Sequence, residues 1–270
     1  GGVRRVACRV RVRRVGMMMY STCALLGDGR VFCRGYNGGR ALGLGRALRY
    51  VPGWRRPKDL GRAKALAVGR DWGCAIERAG GIKCWGVGRN GRAPNSPNVV
   101  DIPTAIPATE NAEKLAVGQQ YACFISDAAE LFCWGYNNRG QLGLGDTRTR
   151  DRPVRVAGLE RVIDVAADTD HTCAVANGGQ VWCWGRGSNG RLATEDDGSR
   201  TTPVQIAGLS DMVEVGVGAA HSCARSAAGG LWCWGANWAG TIGVPRSGNQ
   251  RVPVAIEGLG EVISLSVKYT

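Results

Sequence analysis

Short runs of β-branched and aromatic residues, broken by turn signals, follow one another along the whole chain. Three lie in VIDVAADTDHTCAVANGGQVWCWGRGSNGRLA, from Val162 to Ala193, and a fourth precedes each following unit: PVRVAGL (153–159), PVQIAGL (203–209) and PVAIEGL (253–259). The pattern predicts four short strands per unit, the content of one propeller blade, and so an all-β protein. Composition agrees. Among 270 residues there are 42 glycines and 10 prolines but only 3 phenylalanines, which suits many tight turns and leaves little room for long helices. A chain of this length can bury a substantial core.

The repeat length comes from the cysteines. Ten of the eleven form pairs ten positions apart: Cys23 and Cys33, Cys74 and Cys84, Cys123 and Cys133, Cys173 and Cys183, Cys223 and Cys233, leaving Cys8 over. First members of successive pairs are 51, 49, 50 and 50 residues apart, which marks a repeat architecture. Paired positions in an antiparallel hairpin have a constant index sum. Setting Cys173 opposite Cys183 therefore leaves Asn177, Gly178 and Gly179 as a three-residue loop. Such loops favour a left-handed residue, usually Gly, at their third position. That position holds Gly29, Gly80, Gly179 and Gly229 in four repeats and Ala129 in the other. A two-residue turn would put the cysteines on opposite faces. The glycines thus predict directly facing cysteines and cross-strand disulfides, with free thiols acting as small core hydrophobes as the alternative. Disulfides imply an oxidising compartment: periplasm, cell surface or exterior. Reduced thiols would fit the cytoplasm.

Net charge is +13, unevenly placed: residues 1–100 carry 21 Lys/Arg against 4 Asp/Glu, and the remainder 14 against 18. The basic half could face nucleic acid or another acidic surface, although 30 of the 35 basic residues are Arg, which also fits a GC-rich genome. No stretch of 18 or more apolar residues is present, so no membrane-spanning segment is expected. The opening GGVRRVACRVRVRRV has no apolar core or small-residue cleavage site and does not read as a signal peptide.

After each second cysteine comes Trp-Gly: Trp85-Gly86, Trp134-Gly135, Trp184-Gly185 and Trp234-Gly235, with Arg34-Gly35 in the first repeat. A glycine-rich stretch follows, clearest from Tyr136 to Gly145 as YNNRGQLGLG. Over residues 12–270 the recurring pattern "HTCAV…G…VWCWG…N..GQLGLG" resembles the repeat of the regulator-of-chromosome-condensation family, in the cysteine-bearing form common in bacterial surface and secreted proteins. The resemblance implies a β-propeller of four-stranded blades, usually seven, that binds other proteins through its loops and faces. Family members exchange nucleotide on a small GTPase and dock on chromatin, inhibit a β-lactamase, or sense ultraviolet light through tryptophans, so the fold does not select the partner. The expected division is a basic leader (1–11), blades at 12–62, 63–111, 112–161, 162–211 and 212–259, and the start of a truncated blade at 260–270. Seven such blades would need about 350 residues, so an open arc or a fragment of the ring is expected. Its edge strands, at 12–23 and 260–270, would be exposed. Arg40 stands where Gly140 stands, and Arg92 to Pro97 replace the Gln-Leu-Gly segment, so these two loops are expected to be distorted.

No catalytic, cofactor or metal site is expected. His171 and His221 occupy a repeat slot that elsewhere holds Ser21, Trp72, Tyr121 and Tyr269, which reads as structural. There is no Gly-x-Ser-x-Gly elbow, the Gly-Leu-Gly-Leu-Gly stretches lack the helix and Lys-Ser/Thr of a phosphate loop, and the cysteine spacing is too long for zinc. The acidic residues Asp168, Asp170, Glu195, Asp196 and Asp197 lack the spacing of a calcium-binding hand and read as solvated loop charge. Trp182 with Trp184, and Trp232 with Trp234, repeat in register as packing aromatics; Gly53-Trp54-Arg55-Arg56 falls between blades. Recognition is expected in the non-repeated insertions, because repeat proteins keep their scaffold regular and vary their loops. These are 46–58 (Arg46, Arg49, Trp54, Arg55, Arg56), 89–104 (Arg89, Arg92), 146–152 (Arg148, Arg150), 195–200 (Asp196, Asp197) and 246–251 (Arg246). The function expected is a secreted or surface-exposed, non-enzymatic scaffold for a protein or cell-envelope ligand. The alternative is a nucleotide-exchange factor or chromatin-type binder, and a hydrolytic or carbohydrate-active enzyme is the least supported.

Overall fold

Five antiparallel sheets of four strands follow one another along the chain in a computed structural model that describes residues 11–46, 48–87 and 99–267. The first holds β1 (Val12–Met17), β2 (Ser21–Leu26), β3 (Val31–Tyr36) and β4 (Tyr50–Arg55). The second holds β5 (Ala63–Val68), β6 (Trp72–Glu77), β7 (Ile82–Val87) and β8 (Val99–Ile106). The third holds β9 (Ala112–Val117), β10 (Tyr121–Ser126), β11 (Leu131–Gly135) and β12 (Arg150–Arg155). The fourth holds β13 (Asp164–Ala167), β14 (His171–Ala176), β15 (Gln180–Gly185) and β16 (Arg200–Gln205). The fifth holds β17 (Met212–Val217), β18 (His221–Ser226), β19 (Leu231–Gly235) and β20 (Gln250–Ala255). The only helical piece among the described residues is a single 3₁₀ turn, Ser188–Gly190, and no helix there is long and apolar enough to cross a membrane.

Strands pair in sequence order, so each sheet is one propeller blade, and the core lies in the seams between successive blades. In each hairpin the two cysteines are direct partners across the strands, and all five pairs are disulfide-bonded. All ten cysteines are buried. The expected third-position turn residues have positive φ, from 58° at Ala129 to 98° at Gly80. The fourth hairpin adds Asn177 and Gly178 to the left-handed set.

The Trp-Gly unit has a backbone cause. Its glycine has φ between 99° and 112° in every blade, and a Cβ there would sit 2.5–2.7 Å from a carbonyl oxygen of the preceding strand turn. Left-handed backbone disfavours a side chain, and a carbonyl cannot move aside cheaply. Gly135→Ala is accordingly expected to lower stability by about 2–4 kcal/mol. Chemical denaturation measures this, and a loss below about 1 kcal/mol would remove the steric reading.

Fourth strands begin and end earlier than the Pro-Val runs suggest: β12, β16 and β20 start three residues before the proline and stop two after it. The Val156, Ile206, Leu159 and Leu209 side chains beyond them are buried and plug the next seam. Trp54 and Arg55 lie in a sheet, not between blades: β4 runs to Arg55 because a bulge between the pairs Cys33–Arg55 and Gly35–Val51 takes up two extra residues of that strand. The loop at Arg40 is not distorted either. Arg40 has φ 58°, close to the 78° of Gly140, and its N–H bonds Asn37 as that of Gly140 bonds Asn137. Cys8, Arg89, Arg92, the segment to Pro97 and Tyr269 lie outside the described residues.

Candidate binding face

The loops between third and fourth strands of the first, third and fifth blades are each built around a buried asparagine. Asn137 accepts from the Leu142 N–H and donates to the Asp146 carbonyl, both at 2.9 Å. Asn37 and Asn237 repeat this arrangement with Leu42 and Ile242. All three asparagines are fully buried. Their recurrence at spacings of 100 residues was the signal that could have singled them out. Asn137→Ala leaves a buried N–H and C=O unpaired, and a loss of about 1–3 kcal/mol is expected in urea denaturation.

The loop then folds onto the next blade. The indole N–H groups of Trp85, Trp184 and Trp234 donate to the carbonyls of Ala41, Gln141 and Arg191 at 2.9 Å. Gly45 and Gly145 N–H groups donate to Asp101 and Thr201 on the outer strands of the next blade. The loops of the first, third and fourth blades are thereby fixed at one end of the blades, the same end as the turns between first and second strands.

The candidate residues divide between two places. Arg46, Arg49, Arg148, Asp196, Asp197 and Arg246 lie in the loops at this end, and Arg150 opens β12 beside them. Trp54, Arg55 and Arg56 lie at the far end of β4 instead. Many charges at this end are paired, Asp196 and Asp197 among them, which were expected to be solvated. Asp101 takes Arg40 at 3.1 Å and Arg46 at 2.6 Å; Asp146 takes Arg148 and Arg150; Asp196 takes Arg200; Asp197 takes Arg251 of the next blade at 2.9 Å. The Arg150 guanidinium and the Arg148 N–H hold the Asp146 carboxyl far below the usual carboxylate range. Asp170 is not solvated charge: it bonds Arg186 and the almost wholly buried Arg191, a loop anchor. Local sequence could not show this, because Asp170 and Arg191 meet only when the loop folds back.

The histidine slot is a bridge between blades. Trp72 donates to the Gly118 carbonyl, Tyr121 to the His171 carbonyl, and His171 Nε2 meets Ser222 Oγ at 2.9 Å. Burial, then the nearby charges of Arg191 and His221, hold the His171 imidazole well below its ordinary pKa. An unfolded histidine titrates near 6.5. Its contribution is thus complete above about pH 6.5 and is lost as pH falls toward the lower folded value. Between pH 7 and 5.5 the urea midpoint should fall, and His171→Gln should flatten that dependence; an unchanged slope in the variant would remove His171 as its source.

Where the inner strands converge, Met17, Met19, Arg70, Gln119, Asp168 and Thr169 help to line a cavity of about 450 Å³. No group of three or more His, Cys, Asp or Glu side chains suited to a metal occurs among the described residues.

Residues 129–175 and 178–225 match a family model described as regulator of chromosome condensation (RCC1) repeat, and 113–141 and 162–191 match a second model of the same description. Human WBSCR16 is similar in structure, with a TM-score of 0.84 at 22% identity over 96% of this chain and 70% of its own. Prp20p from Saccharomyces cerevisiae gives 0.82 at 18% identity over 96% of this chain and 67% of its own. The ectodomain of the Physcomitrella patens receptor kinase CR4 gives 0.55 at 22% over 88% and 55%. These likenesses show the fold alone. By sequence, no curated protein matches the chain.

Proposed function

From a chain built of regulator of chromosome condensation (RCC1) repeats in their cysteine-bearing form, we propose a non-enzymatic scaffold, secreted or exposed on a bacterial surface, that binds a protein or cell-envelope ligand through its loop end. The observation that carries this reading is the contrast within each blade. The disulfide recurs in all five blades, the Trp-Gly unit in four and the indole-to-carbonyl contact at Trp85, Trp184 and Trp234, whereas the loops between third and fourth strands differ in charge and sequence at one end. A regular frame with varied loops is how repeat proteins present a recognition surface. Units 12–62, 63–111, 112–161, 162–211 and 212–259 are the proposed blades of this scaffold, with 1–11 a leader and 260–270 the start of another.

The buried disulfides support the oxidising compartment. Alkylation of native protein followed by mass spectrometry is expected to label none of the ten paired cysteines without reductant; five free pairs in freshly isolated material would sink the compartment assignment. For the binding surface, Glu195–Gly198 replaced by Gly-Ser and Arg148→Ala with Arg246→Ala are expected to abolish retention on envelope fractions at unchanged melting temperature. Full retention by both variants would overturn the loop-end reading.

A second reading has one supporting observation. Prp20p, similar in fold, is described by its binding to Gsp1p and histones, and the basic half of this chain would suit an acidic or nucleic-acid partner. Acceleration of nucleotide release from a small GTPase would favour it over the scaffold.

A further inference from the structure

We propose that the loop between β15 and β16 is an acid-released latch, set by the buried imidazole of His171 beside Arg191. The latch itself needs no ligand; that its opening frees a bound partner rests on the scaffold reading. This loop differs from others in what holds it. Asn37, Asn137 and Asn237 brace their own loops from within, whereas Gly187 stands at that place in the fourth blade. Arg191 supplies the anchorage instead. Its guanidinium donates to the Ser188 carbonyl at 2.7 Å, to the Ala219 carbonyl of the fifth blade at 2.6 Å and to Asp170 at 3.1 Å. Its carbonyl accepts from the Trp234 indole and the Ser222 hydroxyl.

Ser222 also fixes the histidine tautomer, because a hydroxyl has a single proton to give. Ser222 gives it to the Arg191 carbonyl at 3.1 Å, so it accepts at 2.9 Å from His171 Nε2, which must carry the imidazole hydrogen. Nδ1 is then the bare nitrogen. Among the described residues it has no hydrogen-bond partner, although the ring is fully buried. A second proton has to go to Nδ1, where no acceptor meets it. A buried donor without an acceptor is costly, and a buried charge more so.

The surrounding charges work in the same direction. On the loop, Arg191 and Arg186 share one carboxylate, Asp170 of the turn between β13 and β14. Asp168 of that turn acts on Tyr121 of β10, whose hydroxyl donates to the His171 carbonyl, and β18 brings His221. Of these groups, Arg191 and His221 bear on the His171 ring, and both oppose a positive charge there. Moving the Arg191 loop outward hydrates the ring and separates the cations. In the open form the imidazole titrates near its ordinary value of about 6.5, above its value in the closed form. Opening therefore takes up a proton as pH falls, and linkage raises the open population roughly tenfold between about pH 7.5 and 5.5. The released segment carries Glu195, Asp196 and Asp197.

Hydrogen exchange of the full chain, read by mass spectrometry with labelling times scaled to the intrinsic rate at each pH, tests the latch. Protection over residues 186–199 should fall roughly tenfold from about pH 7.5 to 5.5. The β14–β15 hairpin should keep its protection, as should the loop at 137–146, whose blade has Tyr121 in the histidine slot. His171→Gln can still donate to Ser222 and should abolish the fall, whereas His221→Gln should retain one. Should His171→Gln fail to fold, Ser222→Ala keeps the question open to measurement: it cuts the link to the loop and should lower protection of 186–199, but not of 137–146, already at about pH 7.5. No fall in the parent protein, an equal fall in both loops, a fall that survives His171→Gln, or full protection of 186–199 in Ser222→Ala would each overturn the proposal. The measurement uses no ligand, so it stands or falls apart from the loop-end reading.

Discussion

Trp184→Ala is expected to lower the free energy of unfolding by about 3–5 kcal/mol, the largest effect of any single substitution in the repeat. The indole is fully buried in the cluster shared by the third and fourth blades, beside Leu131, Leu142, Val156 and Ile125. Truncation removes that apolar area, leaves a cavity in a seam closed by two sheets, and takes away one of the two hydrogen bonds to the Gln141 carbonyl, the other coming from the Thr172 hydroxyl. Gly143 lies against the indole: a Cβ there would come within 2.8–3.1 Å of it. Trp184→Phe separates the contributions, since it keeps most of the area but not the donor; about 1–3 kcal/mol is expected for it. Guanidinium denaturation followed by tryptophan fluorescence and far-ultraviolet dichroism gives both numbers. A loss below about 1 kcal/mol for Trp184→Ala would mean that the seam collapses around the gap, and that the loop is not held by the indole.

Replacing Cys173 and Cys183 together by alanine should cost about 3–5 kcal/mol. Roughly 2.5–3 kcal/mol follows from releasing a loop closed over a sequence separation of ten in the unfolded chain, and packing lost by two buried sulfurs supplies the remainder. Alanine is the informative substitute because serine would bury two hydroxyl groups. The cost should appear as a lower denaturant midpoint, and the refolding variant should regain the same β-sheet spectrum. Complete reduction of all five bonds is expected to leave the chain unfolded at 37 °C, since several such losses exceed the 5–15 kcal/mol by which domains are usually stable. Because the sulfurs are buried, reduction of native protein should proceed at the rate of blade opening. A fully reduced protein with an unchanged melting temperature would remove the disulfides as the source of stability.

Local chemistry repeated five times made the blade legible from sequence. The Gly at the third loop position and the fixed cysteine interval set the hairpin register, and the structure has Cys173 opposite Cys183 as that register requires. The Trp-Gly unit was visible as a motif, but its cause was not, since the carbonyl that excludes a side chain from Gly135 belongs to a different strand turn. Fourth strands were misplaced by about three residues because they sit at the outer edge, where polar residues such as Arg150 and Arg200 pair as readily as apolar ones.

Sequence by itself determined the features that depend on neighbours within one hairpin: strand content, turn type, cysteine pairing and the repeat period. Tertiary structure alone decided which charges remain available. Asp101, Asp170 and Asp197 meet their arginines across tens of residues, so the loops read as a field of free charge while the folded face is largely paired. It also decided which sheet faces are buried in seams: Leu66, Val68, Ala75 and Trp85 of the second blade pack against the first blade. That contact involves residues far apart in the chain, and hydrophobic periodicity within a strand reports which residues share a face without reporting what covers it.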